Sequence, residues 1–458
     1  MKTTKPSKIT KYIIAAASIL SILTFTGCDE KEKNKMENVI QTESSIGAKY
    51  LNSQKNKAEK PQEEKPAEPS TNGLGISDEK YEESIKRSLV SKNNNYLVKK
   101  VLEKMRAGDE VILSALGGSV TEGAGPASFK QGYAYQFKDL FVEKYAANKD
   151  NVKFIPAGIG GTPSPMGLIR YQKDVVNKAG RDPDLLIIEF AVNDWLECSK
   201  TRAMEYLVRN ALEHNTAVIM LYGAATYGTQ QEQIKPVADF YKLPQVSVRD
   251  GLKNSGVNQQ KDSKVYYTDM VHPTARGHEF MARCILNLID EIDASEIDEK
   301  AAIPAGYKNE NAFTKFATIY GDTNDKNVSI NAGAFDQKDD AIQAYMHGGK
   351  SFPQNWSRTP STSSGTTTSG EPFSMSLTCK SLIMVYKNAN NNSFGKAEVF
   401  VDGESKGTYA GHEEGGWNNC MVVMIIDEPS SSKHTVEIKP AAGQEDKSFT
   451  ILAFGYAE

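Results

Sequence analysis

The feature that most constrains this 458-residue chain is a short apolar run that stops at two glycines and is followed by a serine. Residues 111–116 are apolar except for one serine, then come Gly117 and Gly118, and Ser119 follows directly. An apolar run of this length, bounded by glycine, is typical of a strand buried on both faces of a parallel sheet. Ligands bind such sheets at the carboxyl ends of the strands. The sequence therefore predicts Ser119 at that edge, as a candidate nucleophile.

A histidine much further along the chain is the candidate base. Asp269 and His272 stand three residues apart, and Pro273 follows, before a long apolar pattern of helical spacing. Proline suits the first helical position and keeps the residue before it out of the helix, which predicts His272 at the lip of a helix starting at Pro273. Asp269 can accept the imidazole Nδ1 proton, leaving Nε2 to take a proton from a hydroxyl. The alternative interpretation is a helix cap with an incidental histidine.

Two further strand ends carry candidate donors for a developing oxyanion. Residues 152–157 lead into Gly160 and Gly161, whose amides have no side chain beside them, and residues 185–190 lead towards Asn193. Backbone amides and a side-chain amide are the donors that stabilise such an oxygen. Each stretch taken singly is more often structural.

Together, and in this order, the four stretches resemble the signature blocks of the SGNH (GDSL-type) hydrolase superfamily, over about residues 110–292. The resemblance implies a role in acyl-ester chemistry for five residues of this chain. They are Ser119 as nucleophile, His272 as base, Asp269 as the acid that orients it, and the amides of Ser119 and Gly161 with the Asn193 side chain as oxyanion hole. Gly160 is the alternative glycine donor.

The chain departs from the family pattern at two positions. Gly118 stands where the family name has Asp, and Ala191 stands where the third block usually has Gly. Neither position performs the chemistry. The sequence variants around Ser119 and Asn193 resemble those of carbohydrate-directed bacterial members.

The resemblance therefore implies a serine esterase that removes O-acetyl or other short acyl groups from a polysaccharide and needs no cofactor. Between Ser119 and His272 there is no long apolar insertion to form a lid or an acyl tunnel, which favours short acyl groups. A polysaccharide O-acetyltransferase using the same acyl-enzyme is the first alternative. A non-catalytic surface glycan-binding protein is the second.

The start of the chain has the pattern of an export signal. Residues 1–27 combine a basic beginning with an apolar stretch too short to span a membrane, and the small residues before Cys28 resemble a bacterial lipoprotein box. This predicts an extracytoplasmic protein anchored to a bacterial membrane by a lipid on Cys28. An ordinary cleaved signal peptide is the alternative. Residues 28–76 are rich in Lys, Glu, Asn, Gln and Pro and predict a disordered tether.

Two folded domains are predicted beyond the tether. Strand and helix patterns alternate over residues 77–298, which predicts a three-layer α/β/α sandwich with a parallel sheet, the SGNH hydrolase fold. Residues 305–458 show short strand patterns separated by turn residues, with Asp402 and Gly403 marking a hairpin. They predict an all-β sandwich or jelly-roll accessory domain.

Several residues of the β-domain leave alternatives open. Trp356 and Trp417 are interpreted as core residues rather than as a glycan platform, because most aromatic residues of a sandwich are packed. Cys379 and Cys420 are candidates for a disulfide whose geometry the sequence does not establish.

Charge and ligand spacing exclude other classes of function. The formal net charge is −4, and basic and acidic residues intermingle in the tether, so no nucleic-acid partner is expected. The six histidines and five cysteines show no pairing with metal-ligand spacing. No metal site is predicted, and a zinc deacetylase is a poor fit.

Overall fold

The computed structural model describes residues 72–458 except 361, 364, 365, 368 and 369. The predicted signal peptide, the lipidation site Cys28 and most of the predicted tether lie outside the described residues. Residues 70–458 form one unit by their internal contacts, so the boundary between the two predicted domains stays a prediction.

The first part of this unit, called the α/β domain, is built on a six-stranded sheet. Its elements in chain order are α1 (Asp78–Arg87), β1 (Leu89–Ser91), α2 (Tyr96–Ala107), β2 (Val111–Gly117), α3 (Ser119–Glu122), α4 (Tyr133–Tyr145), β3 (Val152–Gly158), α5 (Ser164–Tyr171), β4 (Leu185–Glu189), α6 (Arg202–Glu213), β5 (Ala217–Tyr222), α7 (Gln231–Phe240), β6 (Gln245–Ser247), α8 (Val248–Leu252) and α9 (Ala275–Asp293). Single 3₁₀ turns lie at Phe129–Gln131, Lys149–Asn151 and Asp194–Leu196, and α5 continues through a π turn, Gln172–Val176, into Asn177–Ala179. None of the described helices is long and apolar enough to cross a membrane.

The sheet has the spatial order β1-β6-β5-β4-β2-β3. The five strands from β2 to β6 pair in parallel, and β1 is added antiparallel at one edge. Val111, Leu113 and Ala115 of β2 pack in one core with α1, α2, α4 and α9. Leu186 and Ile188 of β4 pack in a second core with α5, α6 and α7 on the opposite face. The predicted three-layer α/β/α sandwich is confirmed.

The second part, called the β-domain, pairs its strands antiparallel throughout, which confirms the predicted all-β domain. Its strands are β7 (Ala317–Ile319), β8 (Ser329–Asn331), β9 (Trp356–Arg358), β10 (Thr362–Ser363), β11 (Thr366–Thr367), β12 (Phe373–Ala389), β13 (Lys396–Val401), β14 (Glu404–Ala410), β15 (Trp417–Pro440) and β16 (Phe449–Ala457). The strands predicted at 420–426 and 434–438 are one continuous strand, β15. β12 pairs with β8 in its first half and with β16 in its second half.

The predicted hairpin turn between β13 and β14 is confirmed. Asp402 and Gly403 are the two residues between the strands, and their φ angles are +52° and +83°. Two consecutive left-handed residues give the turn whose twist matches that of the flanking strands.

The two candidate disulfide cysteines are free and far apart. Cys379 lies opposite Ser432 and Cys420 lies opposite Lys387, in the same pair of strands. Residues 379 and 387 are eight positions apart on β12, which corresponds to about 26 Å along an extended strand. A disulfide needs Cα atoms within about 7 Å, so this pair cannot form one.

The start of α9 corrects one prediction. The helix begins at Ala275 and not at Pro273, because the Thr274 side chain caps it by accepting a hydrogen bond from the Gly277 amide at 3.0 Å. Pro273 instead forms an isolated antiparallel bridge with Tyr267.

The two domains share a hydrophobic core. Every residue of β16 is buried, because its side chains are divided between the core of the β-domain and the core shared with α5 and α6. Ile383 and Val385 of β12 and Leu452 and Ala453 of β16 belong to the shared core. Gly455 has no side chain where Phe316 and Ile169 press against its backbone. The β-domain is therefore packed onto the α/β domain over an apolar surface.

This shared core predicts that the two domains unfold together. Leu452→Ala removes a fully buried side chain from it and should cost about 2–5 kcal/mol of stability. Scanning calorimetry should show a single transition for both the wild type and the variant, at a lower midpoint in the variant. Glu404→Ala, at an exposed position of β14, is the control and should leave the midpoint in place. Two separate transitions, of which Leu452→Ala shifts only one, would contradict a shared core.

Candidate active site

The predicted catalytic residues lie at the carboxyl edge of the parallel sheet. Ser119 opens α3 directly after β2, and its exposed fraction is only 8%. β3 and β4 flank β2, and their last residues, Gly158 and Glu189, pair with Gly117. The loops that follow these three strands therefore meet around Ser119.

Ser119, His272 and Asp269 form a continuous chain of hydrogen bonds. Ser119 Oγ lies 2.8 Å from His272 Nε2, and His272 Nδ1 lies 2.7 Å from Asp269 Oδ2. Asp269 Oδ1 accepts hydrogen bonds from the amides of Val271 and His272, both at 2.8 Å. Partial burial acts to raise the pKa of Asp269, but the hydrogen bonds from His272 and the two amides outweigh it and lower the pKa to about 2. An ionised carboxylate thus holds the imidazole with Nε2 directed at the serine hydroxyl, the arrangement that deprotonates a serine nucleophile.

A second histidine fixes the elements around this chain of hydrogen bonds. His278, fully buried on α9, accepts a hydrogen bond from the Tyr133 amide at 3.1 Å and donates one to the Ala124 carbonyl at 3.0 Å. Burial lowers its pKa to about 4, so the ring is neutral at neutral pH and carries one donor and one acceptor. His278 therefore joins α9, α4 and the loop after α3.

The two glycines of the loop after β3 differ in whether their amides already have a hydrogen-bond partner among the described residues. The Gly160 amide donates to Glu122 Oε2 at 2.8 Å, while none of the described hydrogen bonds uses the Gly161 amide. Gly161 has a left-handed backbone, with φ at +70°. Of the two glycines considered from the sequence, the geometry favours Gly161 as a donor to a substrate oxygen.

The position of Asn193 explains what the glycine at position 118 does. A Cβ atom built on Gly118 would overlap Asn193 Oδ1, which is buried and has no hydrogen-bond partner among the described residues. The Asn193 side chain therefore occupies the space that a larger residue at position 118 would need. At this departure from the family pattern, the absence of a side chain leaves room for Asn193 beside the backbone next to Ser119.

Among the described residues, no group of three or more His, Cys, Asp or Glu side chains is arranged to hold a metal ion.

Part of the chain matches a known family model. Residues 115–280 match the model of the GDSL-like lipase/acylhydrolase family. This part of the chain is a GDSL-like lipase/acylhydrolase domain. The match spans Ser119, Gly161, Asn193, Asp269 and His272, and it identifies the chain as an ester-hydrolysing enzyme.

Solved structures resemble the chain beyond this GDSL-like domain. A two-domain esterase (CEX) active on acetylated mannans is 21% identical, with a TM-score of 0.66 over 82% of this chain and 98% of its own. The structure of the same esterase co-crystallized with mannopentaose is 22% identical to this chain, with a TM-score of 0.67 and the same coverage. Axe2, an acetylxylan esterase from Geobacillus stearothermophilus, is 17% identical with a TM-score of 0.28, over 43% of this chain and all of its own. The search of curated protein sequences found no match. At such identities the similarity to the two-domain esterase shows that the two-part fold is shared.

The β-domain contacts the glycine loop of the GDSL-like domain directly. Gln343 Nε2 donates to the Gly160 carbonyl at 2.8 Å, and Gln343 Oε1 accepts from the Cys420 amide at 3.1 Å. The Met346 amide donates to Glu122 Oε1 at 2.7 Å. Glu122 thus accepts one hydrogen bond from the glycine loop and one from the β-domain. The sequence analysis missed Glu122, Gln343 and His278. The one signal for Glu122 was the presence of an acidic residue among the small and apolar residues that follow Ser119.

Trp417 corrects the interpretation of the β-domain tryptophans. Trp356 is packed in the β-domain core, as expected, but Trp417 is 58% exposed at the first position of β15. A Cβ atom on Gly161 would lie 3.1 Å from Trp417 Cζ2, so the indole lies against the glycine loop. The core interpretation is wrong for Trp417, because the strand begins there and its first side chain projects beyond the packed core.

The two hydrogen bonds to Glu122 predict that this residue positions the glycine loop. Burial raises the pKa of Glu122, and the hydrogen bonds from the Met346 and Gly160 amides act in the opposite direction. Each of the two carboxyl oxygens accepts one of these hydrogen bonds. Glu122→Gln keeps the size but has one acceptor oxygen, so one of the two amides must lose its partner. We expect kcat for p-nitrophenyl acetate to fall about 10- to 100-fold. The reason is that the glycine loop would shift and carry the Gly161 amide away from the position of the oxyanion.

The control for this prediction is Glu143→Gln, on the exposed face of α4, which should retain wild-type kcat. Circular dichroism melting of each variant separates loss of catalysis from loss of fold. A folded Glu122→Gln enzyme with wild-type kcat would show that the two hydrogen bonds do not determine the position of the glycine loop.

Proposed function

We propose that this enzyme is a serine esterase that removes short acyl groups, chiefly O-acetyl, from a polysaccharide outside the cytoplasm. The observation that carries the proposal is the chain of hydrogen bonds from Ser119 through His272 to Asp269 within a GDSL-like domain. The substrate class is supported by the structural relative that is active on acetylated mannans and shares both parts of the fold.

In the proposed reaction Ser119 Oγ attacks the ester carbonyl while His272 Nε2 takes the hydroxyl proton. Asp269 keeps the other imidazole nitrogen protonated and stabilises the imidazolium that forms. The amides of Ser119 and Gly161 and the Asn193 side chain hold the negative oxygen. The sugar hydroxyl leaves with the proton from His272, and the acyl group stays on Ser119. His272 then deprotonates a water molecule, which releases the carboxylic acid and restores the serine.

The surroundings of the glycine loop support a short acyl group. Gly160 and Gly161 offer no apolar side chain, and Trp417 and Gln343 lie against them from the β-domain. Each buried methylene of a longer acyl chain would add about 0.8 kcal/mol only where an apolar wall receives it. We therefore propose that acetyl is preferred over longer acyl groups.

The proposal predicts acetate release from polymers and a falling rate with acyl length. The full chain should release acetate from at least one of acetylated mannan, acetylated xylan and bacterial exopolysaccharides, and kcat/KM for p-nitrophenyl esters should fall from acetyl to butyryl to octanoyl. Ser119→Ala, with its fold checked by melting, is the blank and should release no acetate above background. A preference for octanoyl esters would move the function towards lipid substrates.

The same assay, repeated with an unacetylated oligosaccharide, distinguishes the hydrolase from an acetyltransferase. The hydrolase releases free acetate in proportion to the ester consumed, with or without the oligosaccharide. Mass spectra showing the acetyl group on the added sugar, with little free acetate, would favour the transferase.

We also propose that the enzyme is exported and anchored by a lipid on Cys28. Support comes from the basic start, the short apolar stretch and the small residues that precede this cysteine, followed by a polar segment. Cys28→Ser should move the protein from the membrane fraction of the cell to the soluble or secreted fraction. Membrane association that survives this change would point to an uncleaved signal segment instead.

A further inference from the structure

Exposed apolar side chains are concentrated around the candidate active site. Seven large hydrophobic residues of the described chain are exposed. Five of these lie in segments that carry or contact the residues of the site: Trp195, Tyr227, Met270, Met346 and Trp417. Exposed apolar groups gathered at one place on a surface mark a binding site more often than single exposed residues do.

Two of the five are aromatic residues of the α/β domain that contact each other. Trp195 and Tyr227 are 46% and 42% exposed, and their rings meet edge to face with centroids 6.2 Å apart. Trp195 also lies over Gly228, where a Cβ atom would be 3.7 Å from the indole. This pair, Trp195 with Tyr227, is called the aromatic pair below.

Trp195 is held rigidly by the residues on either side of it. It lies in the 3₁₀ turn Asp194–Leu196, two residues after Asn193. The Asp194 side chain is buried and accepts a hydrogen bond from the Ser164 amide at 2.7 Å, and the Leu196 amide donates to the Asn193 carbonyl at 3.0 Å. The backbone that carries the indole is therefore fixed, which lowers the entropy lost when the ring binds a ligand.

Tyr227 is fixed in the same way to the loop that carries the base. Ala225 and Gly228 exchange two hydrogen bonds, at 2.9 and 3.1 Å, across the turn that holds Tyr227. Thr226 donates from its amide and its hydroxyl to the Met270 carbonyl, at 2.8 and 2.9 Å. Met270 stands between Asp269 and His272, so this turn moves with the candidate base.

The strand order places the aromatic pair on one side of Ser119. Trp195 follows β4 and Tyr227 follows β5, whereas Gly161 and the overlying Trp417 are on the β3 side. A polysaccharide whose ester reaches Ser119 continues past the reacting sugar. The faces of sugar rings carry C–H groups that pack on exposed aromatic rings, and a rigid Trp or Tyr provides a large contact area at low entropic cost.

We propose that the aromatic pair Trp195 and Tyr227 is a binding subsite for a sugar residue of the polymer next to the one that carries the scissile ester. This inference rests on the proposed function, since it identifies how the same site recognises the alcohol part of its substrate. The subsite contributes to polymer substrates, whereas an aryl acetate has no neighbouring sugar residue to place in it.

The test compares Trp195→Ala and Tyr227→Ala with the wild type in the full chain. The measurement is the ratio of kcat/KM for the acetylated polysaccharide that the wild type deacetylates fastest to kcat/KM for p-nitrophenyl acetate. We expect this ratio to fall about 10-fold in each variant, mainly through a higher KM for the polymer. Trp195→Phe, which keeps a ring, should restore most of the ratio.

Tyr307→Ala is the matched control. Tyr307 is also an exposed tyrosine, but it lies beside Arg209 of α6 and away from the catalytic loops, so its loss should leave the ratio as in the wild type. The oligomeric state of each variant, measured by light scattering, tests whether the pair is instead an interface between two copies.

The outcomes separate the subsite from the proposed function. Polymer deacetylation by the wild type with an unchanged ratio in both alanine variants would overturn the subsite and leave the esterase proposal standing. A change of oligomeric state without a change of ratio would overturn it in favour of an interface. A wild type that releases acetate from aryl acetate but from no polymer would overturn both proposals.

Discussion

The candidate site depends on a buried arginine that ties together the ends of two strands. Arg170 of α5 donates to the Gly117 carbonyl at 2.7 Å and to the Ala157 carbonyl at 2.5 Å, so one guanidinium fixes the strand ends that lead to Ser119 and to the glycine loop. Asp174, also fully buried, lies 3.3 Å from this guanidinium and accepts a hydrogen bond from the Tyr345 hydroxyl at 2.6 Å. Removing one partner of such a buried pair typically costs about 3–5 kcal/mol, because the other charge remains without compensation. Buried groups therefore set the distance between the loop that carries Ser119 and the glycine loop.

The β-domain contributes to the geometry of the candidate site through direct contacts with the α/β domain. Its apolar contacts with α5 and α6 bury the side chains of β16 that face away from the β-domain core. Its polar contacts reach the glycine loop through Gln343 and the helix of Ser119 through Glu122. A salt bridge at 2.6 Å between Arg202 and Asp427 adds a further link at the start of α6. Since the glycine loop receives contacts from both domains, its geometry depends on how the two domains pack. This gives a physical reason for the β-domain to be packed against the α/β domain, whose own sheet carries the candidate residues.

The sequence predicted what is encoded locally. Buried parallel strands are continuous apolar runs, so β2, β4 and β5 could be placed from the sequence, and the catalytic candidates follow such runs at short distances. The start of α9 was ambiguous even locally, because Pro273 and Thr274 are both helix-start signals and the threonine hydroxyl made the cap. The contacts of Glu122 could not be predicted, since Met346 lies 224 residues away and no periodic pattern links the two. The exposure of Trp417 likewise depends on how the two domains pack against each other. From the sequence, a buried position was predicted because most aromatic residues of a β-sandwich are packed.

The two sides of the site decide which part of an ester is recognised. On the β3 side, Trp417 and Gln343 of the β-domain lie against Gly161 and Gly160. On the β4 and β5 side, Trp195 and Tyr227 are exposed and held on short hydrogen-bonded turns. An ester has its acyl group at the carbonyl carbon and its alcohol beyond the scissile oxygen. If the alcohol extends over the aromatic pair, as proposed above, these apolar contacts give it most of the binding energy. In the proposed reaction the alcohol is the polymer, so selectivity arises from sugars that take no part in bond cleavage, and binding energy from those sugars can be used to align the ester with Ser119.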